Sequence, residues 1–463
     1  MNNAFPSTSA PQAAQLRPTQ LRPAQLPTAE LTDAQQLREA VLLSFRDPLP
    51  PQTQMLQGLS GSQWKKLLYW LDISGLALYF LERMKERHRL HWLPLWVEDR
   101  LSQNLLDNTR RTHAMLAECV AMQREFQHAD LSYLLLKGFS LAPSSVPRSE
   151  LRSQLDLDFL IAPEDAEAAR AILEERGYVL HAISGRSWEF KTPGMPSGSL
   201  RDLYQEQPSR CVELHLEAPA NEPGPRIANS ERRIIQGFEM PVLASVDLFL
   251  GQAVHLYKHV STGSFRCSHL LEFYRHVRAR QDDKLFWQEI RVVTINNNLA
   301  RLALGVVTLL AERVLGRFAP DALIAFTRSL SASVQLWVAL YGQRCTYAGS
   351  PGNKFHLLLQ RELARDNPTA QSSIRRSLLP RRLPPPISHA APNEPVSMRI
   401  RRSLQQWRFI FFRLRFHAIE GIRYAHELRL WRQHLRHLTA QNAGSQVAHA
   451  PALSTQNKGM TIL

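Results

Sequence analysis

The sequence has few cysteines and no long apolar run. Its four cysteines, Cys119, Cys211, Cys267 and Cys345, lie dozens of residues apart in a chain of 463 residues. This spacing matches neither a zinc knuckle nor a disulfide framework, and it predicts a protein of the reducing cytoplasm. No stretch approaches the roughly 18 uninterrupted apolar residues that a membrane span needs. The first residues also lack the basic start and apolar centre of a secretory signal, so we expect a cytoplasmic location.

Lysine and aspartate are absent from the segment 371–440, which instead carries 14 arginines against three glutamates. The whole chain has 56 Lys and Arg residues, 41 Asp and Glu residues and a formal net charge of +15. Most of the excess positive charge therefore belongs to this one C-terminal segment. Overall basicity is for that reason no argument for nucleic-acid binding by the rest of the protein.

Composition and hydrophobic periodicity divide the chain into seven segments. Apolar residues at helical spacing, such as Trp64, Leu67 and Leu71, predict helices before residue 130, and the period of two typical of strands follows. Proline-rich stretches interrupt both helices and sheets. The predicted segments are a disordered Pro/Gln-rich tail over 1–30, a helical region over 31–130, an α/β core over 131–220, a helical region packing on that core over 221–345, a Pro/Ser-rich linker over 346–398, a basic amphipathic helix over 399–440 and a flexible tail over 441–463.

The α/β core is predicted to contain five strands and one helix. The apolar run 131–136 ends in Lys137-Gly138, which suits a buried strand entering a tight turn. A helix is expected over 164–176, with Gly177 in the left-handed position after its end. The predicted strands cover 131–136, 155–161, 178–183, 187–191 and 211–216.

Two acids in the second predicted strand are the most informative pair in the sequence. Side chains two apart in a strand share a face about 6.5 Å apart along the chain, so Asp156 and Asp158 lie together and Leu155, Leu157 and Phe159 face the other side. Like charges this close raise the pKa of one carboxyl group unless a cation lies between them. Magnesium suits such a pair, because it prefers oxygen ligands from carboxylates and substrate phosphates.

Glu213, flanked by Val212 and Leu214 on a later predicted strand, is a candidate third acid. Three carboxylates on neighbouring strands can hold two divalent ions about 3.5–4 Å apart, which stabilises the attacking and leaving oxygens of a phosphoryl displacement. The alternative is a solvated strand face, since an aspartate pair of this spacing is common on strands.

Cationic and turn residues nearby suit phosphate binding. A glycine turn with a hydroxyl, here Gly138 and Ser140, can expose backbone N–H groups to a phosphate. Lys137 and Arg152 can neutralise triphosphate charge, the arginine as a bidentate fork. Ordinary alternatives are a plain turn after a strand and an ion pair between Arg152 and Glu150.

Three histidines are further candidates. His255 and His259 share one face of a predicted helix, with Lys258 beside them, and they suit contacts to phosphate or to the catalytic carboxylates. A zinc site would need a third ligand, which the sequence does not name. His215 can orient Glu213 or contact substrate. The alternatives are a helix with incidental histidines and a histidine at a strand edge.

The order of these motifs resembles the nucleotidyltransferase superfamily with the DNA polymerase β-like fold. It is most similar to a bacterial branch, the uncharacterised nucleotidyltransferase family, also called nucleotidyltransferase family 5. The resemblance covers roughly residues 30 to 320. The matching motifs are Leu136-Lys137-Gly138, then Arg152 followed by Asp156-Leu157-Asp158-Phe159-Leu160-Ile161, then Val212-Glu213-Leu214-His215, then His255-Leu256-Tyr257-Lys258-His259.

The resemblance implies an α+β fold, with a small mixed-sheet nucleotidyltransferase core flanked by N-terminal and C-terminal helical regions. It implies transfer of a nucleoside monophosphate from a nucleoside triphosphate to an unknown acceptor, with release of pyrophosphate. Two Mg²⁺ ions, with Mn²⁺ as the alternative metal, are expected on the catalytic and metal-binding residues Asp156, Asp158 and Glu213. Glu213 either completes this metal site or accepts the proton of the acceptor. The implied nucleotide-binding residues are Lys137, Gly138, Ser140, Arg152, His215, His255, Lys258 and His259.

The C-terminal segment 399–440 is predicted to be a basic amphipathic helix. Such a helix can lie on an anionic membrane surface, bind nucleic-acid phosphates, dock on an acidic partner, or pack with a solvated basic face. An alternative function is therefore a non-catalytic binding protein that keeps the nucleotidyltransferase fold, peripheral to the membrane or bound to an acidic polymer. The apolar stripe consists of Leu404, Trp407, Phe411, Leu414, Ala418, Ile422, Ala425, Leu428 and Leu435.

Overall fold

The computed structural model describes most of the chain. The described residues are 31–193, 203–205, 211–222, 224–349, 351–364, 368–378, 380, 383–384 and 395–447. The tail predicted over 1–30 lies outside these residues, as do residues 448–463 of the second predicted tail and several stretches of the predicted linker.

The chain begins with the predicted helical region. Ser60 caps its second helix, where the hydroxyl accepts a hydrogen bond from the backbone N–H of Gln63, and the left-handed Gly75 ends it. The last helix of the region is long and presents apolar residues at helical spacing to the sheet. The helices are α1 (Asp33–Leu43), α2 (Gly61–Ser74), α3 (Ala77–Glu86) and α4 (Leu95–His128).

A seven-stranded mixed sheet follows. Its strands are β1 (Tyr133–Leu136), β2 (Asp156–Ile161), β3 (Val179–Ser184), β4 (Ser187–Lys191), β5 (Cys211–Leu216), β6 (Ser230–Ile235) and β7 (Phe238–Leu243). Their order in the sheet is β3-β4-β5-β2-β1-β7-β6. β2 pairs with β5 and β1 with β7 in parallel, and the other neighbours are antiparallel. The hairpin β6–β7 lies in the segment 221–345, for which only helices were predicted.

The two faces of the sheet differ in chemistry. One face packs against α4 and against α5 (Ala166–Glu175), which connects β2 to β3. Leu157 and Phe159 are fully buried there, as alternation along β2 predicts, whereas Leu155 precedes the strand and is exposed. The opposite face carries Asp156 and Asp158. The pleat therefore separates the hydrophobic core from the candidate site.

The remaining helices form, with α1 to α3, a second and larger hydrophobic core. They are α6 (Ser245–Thr262), α7 (Cys267–Ala279), α8 (Lys284–Val293), α9 (Asn298–Leu315), α10 (Asp321–Arg328), α11 (Ala332–Trp337), α12 (Gln343–Thr346), α13 (His356–Leu363), α14 (Pro368–Leu378) and α15 (Val396–Val447). A π-helical turn, Val338–Gly342, connects α11 to α12. Short 3₁₀ helices cover Pro51–Gly58, Leu90–Trp92, Gly138–Leu141, Ser149–Leu151 and Pro163–Asp165.

Part of the predicted linker 346–398 is helical. Leu357, Leu358 and Leu359 of α13 are buried in the large core, and Ile374 of α14 joins them. The sequence did not predict these helices for two reasons. Proline and serine are frequent in the segment, and three leucines in a row carry no periodicity that distinguishes a packed helix from a loop.

No helix in the described part of the chain is long and apolar enough to cross a membrane by itself. One pair, Asp321–Arg328 with Ala332–Thr346, meets the length and composition criteria together, with a bend of 105° between the two helices. Leu323 and Trp337 of this pair are fully buried in the large core.

Candidate active site

The carboxylates predicted from the sequence lie on two paired strands. Asp158 of β2 is directly opposite Glu213 of β5, and Asp156 is opposite Cys211. Directly opposite residues in a sheet point to the same face, so the register brings the third acid beside the pair. Asp158 is almost fully buried, and Asp156 and Glu213 are half-buried.

Two basic side chains contact Asp158. The Lys137 ammonium nitrogen lies 2.8 Å from Asp158 Oδ1, and His215 Nε2 lies 2.8 Å from the same oxygen. His215 Nε2 also lies 3.3 Å from Glu213 Oε2, so the ring bridges the two carboxylates. Lys137 and His215, both predicted to bind nucleotide, therefore contact the predicted metal ligands themselves.

The pKa values of the acids diverge because their surroundings differ. Burial and the neighbouring Asp158 raise the pKa of Asp156 to about 6. Burial alone would also raise the pKa of Asp158, but hydrogen bonds from His215 and Lys137 hold it below its usual value. A hydrogen bond from His215 likewise lowers the pKa of Glu213. Although burial disfavours its charged form, these two acids raise the pKa of His215. The surroundings therefore favour the ionised forms of Asp158 and Glu213 and the cationic form of His215, and they disfavour the ionised form of Asp156.

The turn after β1 is held in an unusual backbone conformation. Lys137 has φ +48° and Gly138 has φ +44°. A Cβ at Gly138 would lie 2.3 Å from Nε2 of Gln154, whose amide donates to the carbonyl of Asp156 at 2.7 Å. A residue without a side chain is therefore required here, next to the start of β2.

Ser140 has a structural contact in this turn. Its buried hydroxyl donates to the carbonyl of Lys137 at 2.7 Å, and its own carbonyl accepts a hydrogen bond from Arg233 at 2.6 Å. The phosphate contact predicted for this hydroxyl would therefore require the turn to open.

A cavity of about 460 Å³ is lined in part by Lys137, which contacts Asp158, but its lining within the described residues includes none of the three predicted metal ligands. Lys137 and Arg152 line it together with His255 and His269. Arg152 Nε donates to the buried Glu272 at 3.2 Å, so its partner is Glu272 and not the Glu150 considered from the sequence. The predicted phosphate-binding cations thus border a space large enough for a ligand.

The histidines of α6 meet a third histidine from α7. The rings of His255 and His259 are 4.4 Å apart between centroids, and His269 is 5.4 Å from each. Burial and the neighbouring His259 lower the pKa of His255 to about 3, and burial also lowers the pKa values of His259 and His269. All three imidazoles are therefore neutral near pH 7.

Lys258 stands apart from these groups. Its side chain is exposed, and the cavity lining within the described part of the chain does not include it. The nucleotide-binding role predicted for Lys258 stays a prediction without a contact to the cavity.

Sequence reasoning missed several residues that the fold brings to the site. Glu189 of β4 lies opposite Glu213 and 2.8 Å from the Lys191 ammonium group. An acid between Trp188 and Phe190 in a strand is a readable signal of the same kind as Glu213. No sequence pattern marks His269, because its contact with His255 and His259 depends on how α7 packs beside α6.

The donor set fits a divalent cation. Ligand atoms of Asp158, Glu213 and His215 all lie within 4.8 Å of one another, and Asp156 shares their face of the sheet. Carboxylate oxygens are the ligands that Mg²⁺ and Mn²⁺ prefer. The cation contacts of the buried Asp158 show that this position attracts positive charge.

Fold and site together define a nucleotidyltransferase domain, with acids on paired strands beside a glycine turn and a cavity lined in part by Lys137 and Arg152. The family model described as uncharacterised nucleotidyltransferase matches residues 60–316, more than half of the chain, and the protein belongs to this family. The match confirms the family and the mixed α and β fold predicted from the sequence. A comparison with curated proteins finds no match.

Proposed function

We propose that the protein transfers a nucleoside monophosphate from a nucleoside triphosphate to an acceptor hydroxyl or phosphate and releases pyrophosphate. Membership of a nucleotidyltransferase family supports transferase activity. The main support for nucleotidyl transfer is the register of β2 with β5, which places Asp158 opposite Glu213 and beside Lys137.

The chain's residues divide into two groups in this proposal. Asp156, Asp158 and Glu213 would hold Mg²⁺, or Mn²⁺ in its place, and the ions would neutralise charge on the triphosphate during transfer. Glu213 suits a ligand better than a proton acceptor, because its lowered pKa makes it a weak base near neutral pH. Lys137 and Arg152 would bind the phosphates from the cavity side.

Nucleotide binding tests this function without knowledge of the acceptor. Titration calorimetry with non-hydrolysable ATP, GTP, CTP and UTP analogues, with and without MgCl₂, should show binding of at least one analogue that depends on magnesium. The double variant Asp156→Asn/Asp158→Asn should lose that dependence. Glu167→Gln removes an exposed carboxylate of α5 and is the matched control. Unchanged magnesium-dependent binding by the double variant would contradict the proposed site.

We also propose that α15 binds an anionic membrane surface, which places a cytoplasmic protein at the membrane. The first part of its apolar stripe is exposed: Trp407 is 57%, Phe411 65% and Ile422 73% accessible. Exposed arginines, including Arg408 and Arg415, accompany these side chains. Aromatic and aliphatic residues beside arginines are typical of helices that lie in a membrane interface.

Vesicle sedimentation tests the membrane proposal. The full chain should bind phosphatidylcholine vesicles that contain phosphatidylserine and bind pure phosphatidylcholine vesicles weakly. Trp407→Ser/Phe411→Ser should lose binding, whereas Trp96→Ser, which removes an exposed tryptophan of α4, should retain it. Retention by the double variant would contradict the proposal. Steeply salt-dependent RNA binding by this segment would favour the nucleic-acid alternative instead.

A further inference from the structure

Three histidines form a cluster to which the proposed transfer mechanism assigns no role, although the family resemblance implies nucleotide binding by His255 and His259. His255 and His259 stand one turn apart on α6, and His269 comes from the first turn of α7. One ring nitrogen of each lies within 4.8 Å of the corresponding nitrogens of the other two. Two helices therefore aim three nitrogen donors at one point.

The contacts of the three rings leave nitrogen lone pairs that can bind a metal ion. His259 Nδ1 lies 2.8 Å from the Ser264 hydroxyl oxygen, and an Nδ1–H donor there leaves the Nε2 lone pair toward the cluster. His259 Nε2 is 3.0 Å from His255 Nε2. His269 Nδ1 is buried and has no hydrogen-bond partner among the described residues. A buried polar atom without a partner is costly, and a bound ligand would satisfy it.

We infer that His255, His259 and His269 bind a divalent transition-metal ion of the zinc type. Tetrahedral coordination with metal–nitrogen bonds of about 2.0–2.1 Å places ligand nitrogens about 3.3 Å apart. The 3.0 Å separation between His255 and His259 is close to this value. Imidazole is a preferred ligand of Zn²⁺, and no carboxylate belongs to this group of donors.

The surroundings of the cluster indicate what occupies the fourth coordination position. His255 and His269 line the same cavity as Lys137 and Arg152, and the lining also contains the acids Glu222, Asp247 and Glu272. An ion bound by the histidines would add its positive charge to the part of the cavity that holds Lys137 and Arg152, and together these charges would attract an anionic ligand. An anionic group of the acceptor, such as a phosphate or carboxylate, is the chemistry that fits. The assignment of this fourth ligand to the acceptor rests on the proposed transfer function, whereas metal binding by the histidines does not.

Cobalt binding to the full chain tests the metal site. Chelator-treated protein titrated with CoCl₂ should develop the visible absorption of tetrahedral Co²⁺ at one ion per chain, and ZnCl₂ should remove it. His259→Ala and His269→Ala should each lose the band. His181→Ala, which removes an exposed histidine of β3, should keep it. Asp156→Asn/Asp158→Asn should also keep it, which separates this site from the proposed magnesium site.

The outcomes distinguish the two proposals. A band that survives both histidine substitutions, or no tetrahedral band in the unaltered protein, overturns the metal site whatever the nucleotide experiments give. Loss of nucleotide-analogue binding in the histidine variants with cobalt binding unchanged also overturns it, because the cluster would then contact phosphate directly. Thermal unfolding without added metal shows whether each variant is folded. If His269→Ala fails to fold, the cobalt titration of His259→Ala decides, because His259 is only half-buried.

Discussion

At the scale of a single residue, backbone conformation and packing both require glycine at position 138. Its positive φ favours glycine, and the Gln154 amide occupies the place of a Cβ. The same amide donates to the first residue of β2. A side chain at this position would therefore disturb the strand that carries the acids.

Gly138→Ala should lower the free energy of unfolding by about 2–3 kcal/mol, because left-handed strain and displacement of Gln154 add together. Gly177 also has a positive φ, of +85°, but nothing lies within 4 Å of a Cβ there. Gly177→Ala should cost about 1 kcal/mol. Urea denaturation measures both losses, and equal losses would contradict the packing argument.

Arg152 and Glu272 form a buried ion pair in which Tyr79 also donates to Glu272, at 3.0 Å. Arg152→Met should cost about 3–5 kcal/mol, because it leaves the carboxylate of Glu272 buried without its cation. Adding Glu272→Gln should recover part of this loss. A double-mutant cycle by chemical denaturation measures the coupling, and no recovery would contradict the pair's role.

The sequence places three acids on predicted strands but does not identify the partner of Arg152. Asp156, Asp158 and Glu213 were readable because an acid between apolar residues in a strand is a local pattern. The partner of Arg152 lies 120 positions away, and no spacing rule reaches that far. The role of His269 could not be predicted for the same reason, since its position beside His255 and His259 depends on how two helices pack.

At the scale of elements, all five predicted strands exist, and their order in the sheet is what the sequence left open. Alternation identifies a strand, but a parallel neighbour such as β5 for β2 depends on tertiary packing. The hairpin β6–β7 was missed because its turn has an unusual sequence. Gln236 and Gly237 both have positive φ, as a two-residue hairpin turn of type I′ requires. Glutamine is a rare first residue of such turns, so only the glycine indicated one.

The two ends of α15 differ in burial, which makes a direct prediction. Trp431 is 1% exposed in the large core, whereas Trp407 is 57% exposed. Trp431→Ala should lower the free energy of unfolding by about 3–5 kcal/mol. Trp407→Ala should change it by less than about 0.5 kcal/mol. Thermal and urea unfolding of both variants measure the difference, and similar losses would contradict the packing of the helix.

At the scale of the whole molecule, one core joins distant parts of the chain. Leu37 of α1 and Trp431 of α15 belong to the same hydrophobic cluster, and Glu427 accepts hydrogen bonds from Tyr341 and Arg344. The sequence indicated a basic amphipathic helix but not which face packs, because both sides carry apolar residues. Only the position of the other helices decides that question.

Lys354 links α14 and α15 and gives the stability a pH dependence. Its ammonium group donates to the carbonyl of Leu378 at 2.8 Å and lies 2.8 Å from His417 Nδ1. Burial lowers the pKa of Lys354 from 10.5 to about 8. Between these values the unfolded chain holds a proton that the folded chain has lost, so this residue's contribution to stability rises with pH.

Comparison with Lys354→Met measures this contribution. The free energy of unfolding of the unaltered protein minus that of the variant should increase from pH 8 to pH 10.5, and it should be constant below pH 7. Lys65→Met, which removes an exposed lysine of α2, is the control and should show no such increase. A constant difference for Lys354→Met over the same range would contradict the burial of its charge.

The contacts of Asp158 with Lys137 and His215 also bear on how the protein matures. A buried carboxylate without a counter-charge would oppose folding. Here the polypeptide supplies that counter-charge from its own side chains. In the proposed function, a metal ion at Asp158 would therefore compete with the Lys137 ammonium group and the His215 ring for oxygens that the fold has already brought together.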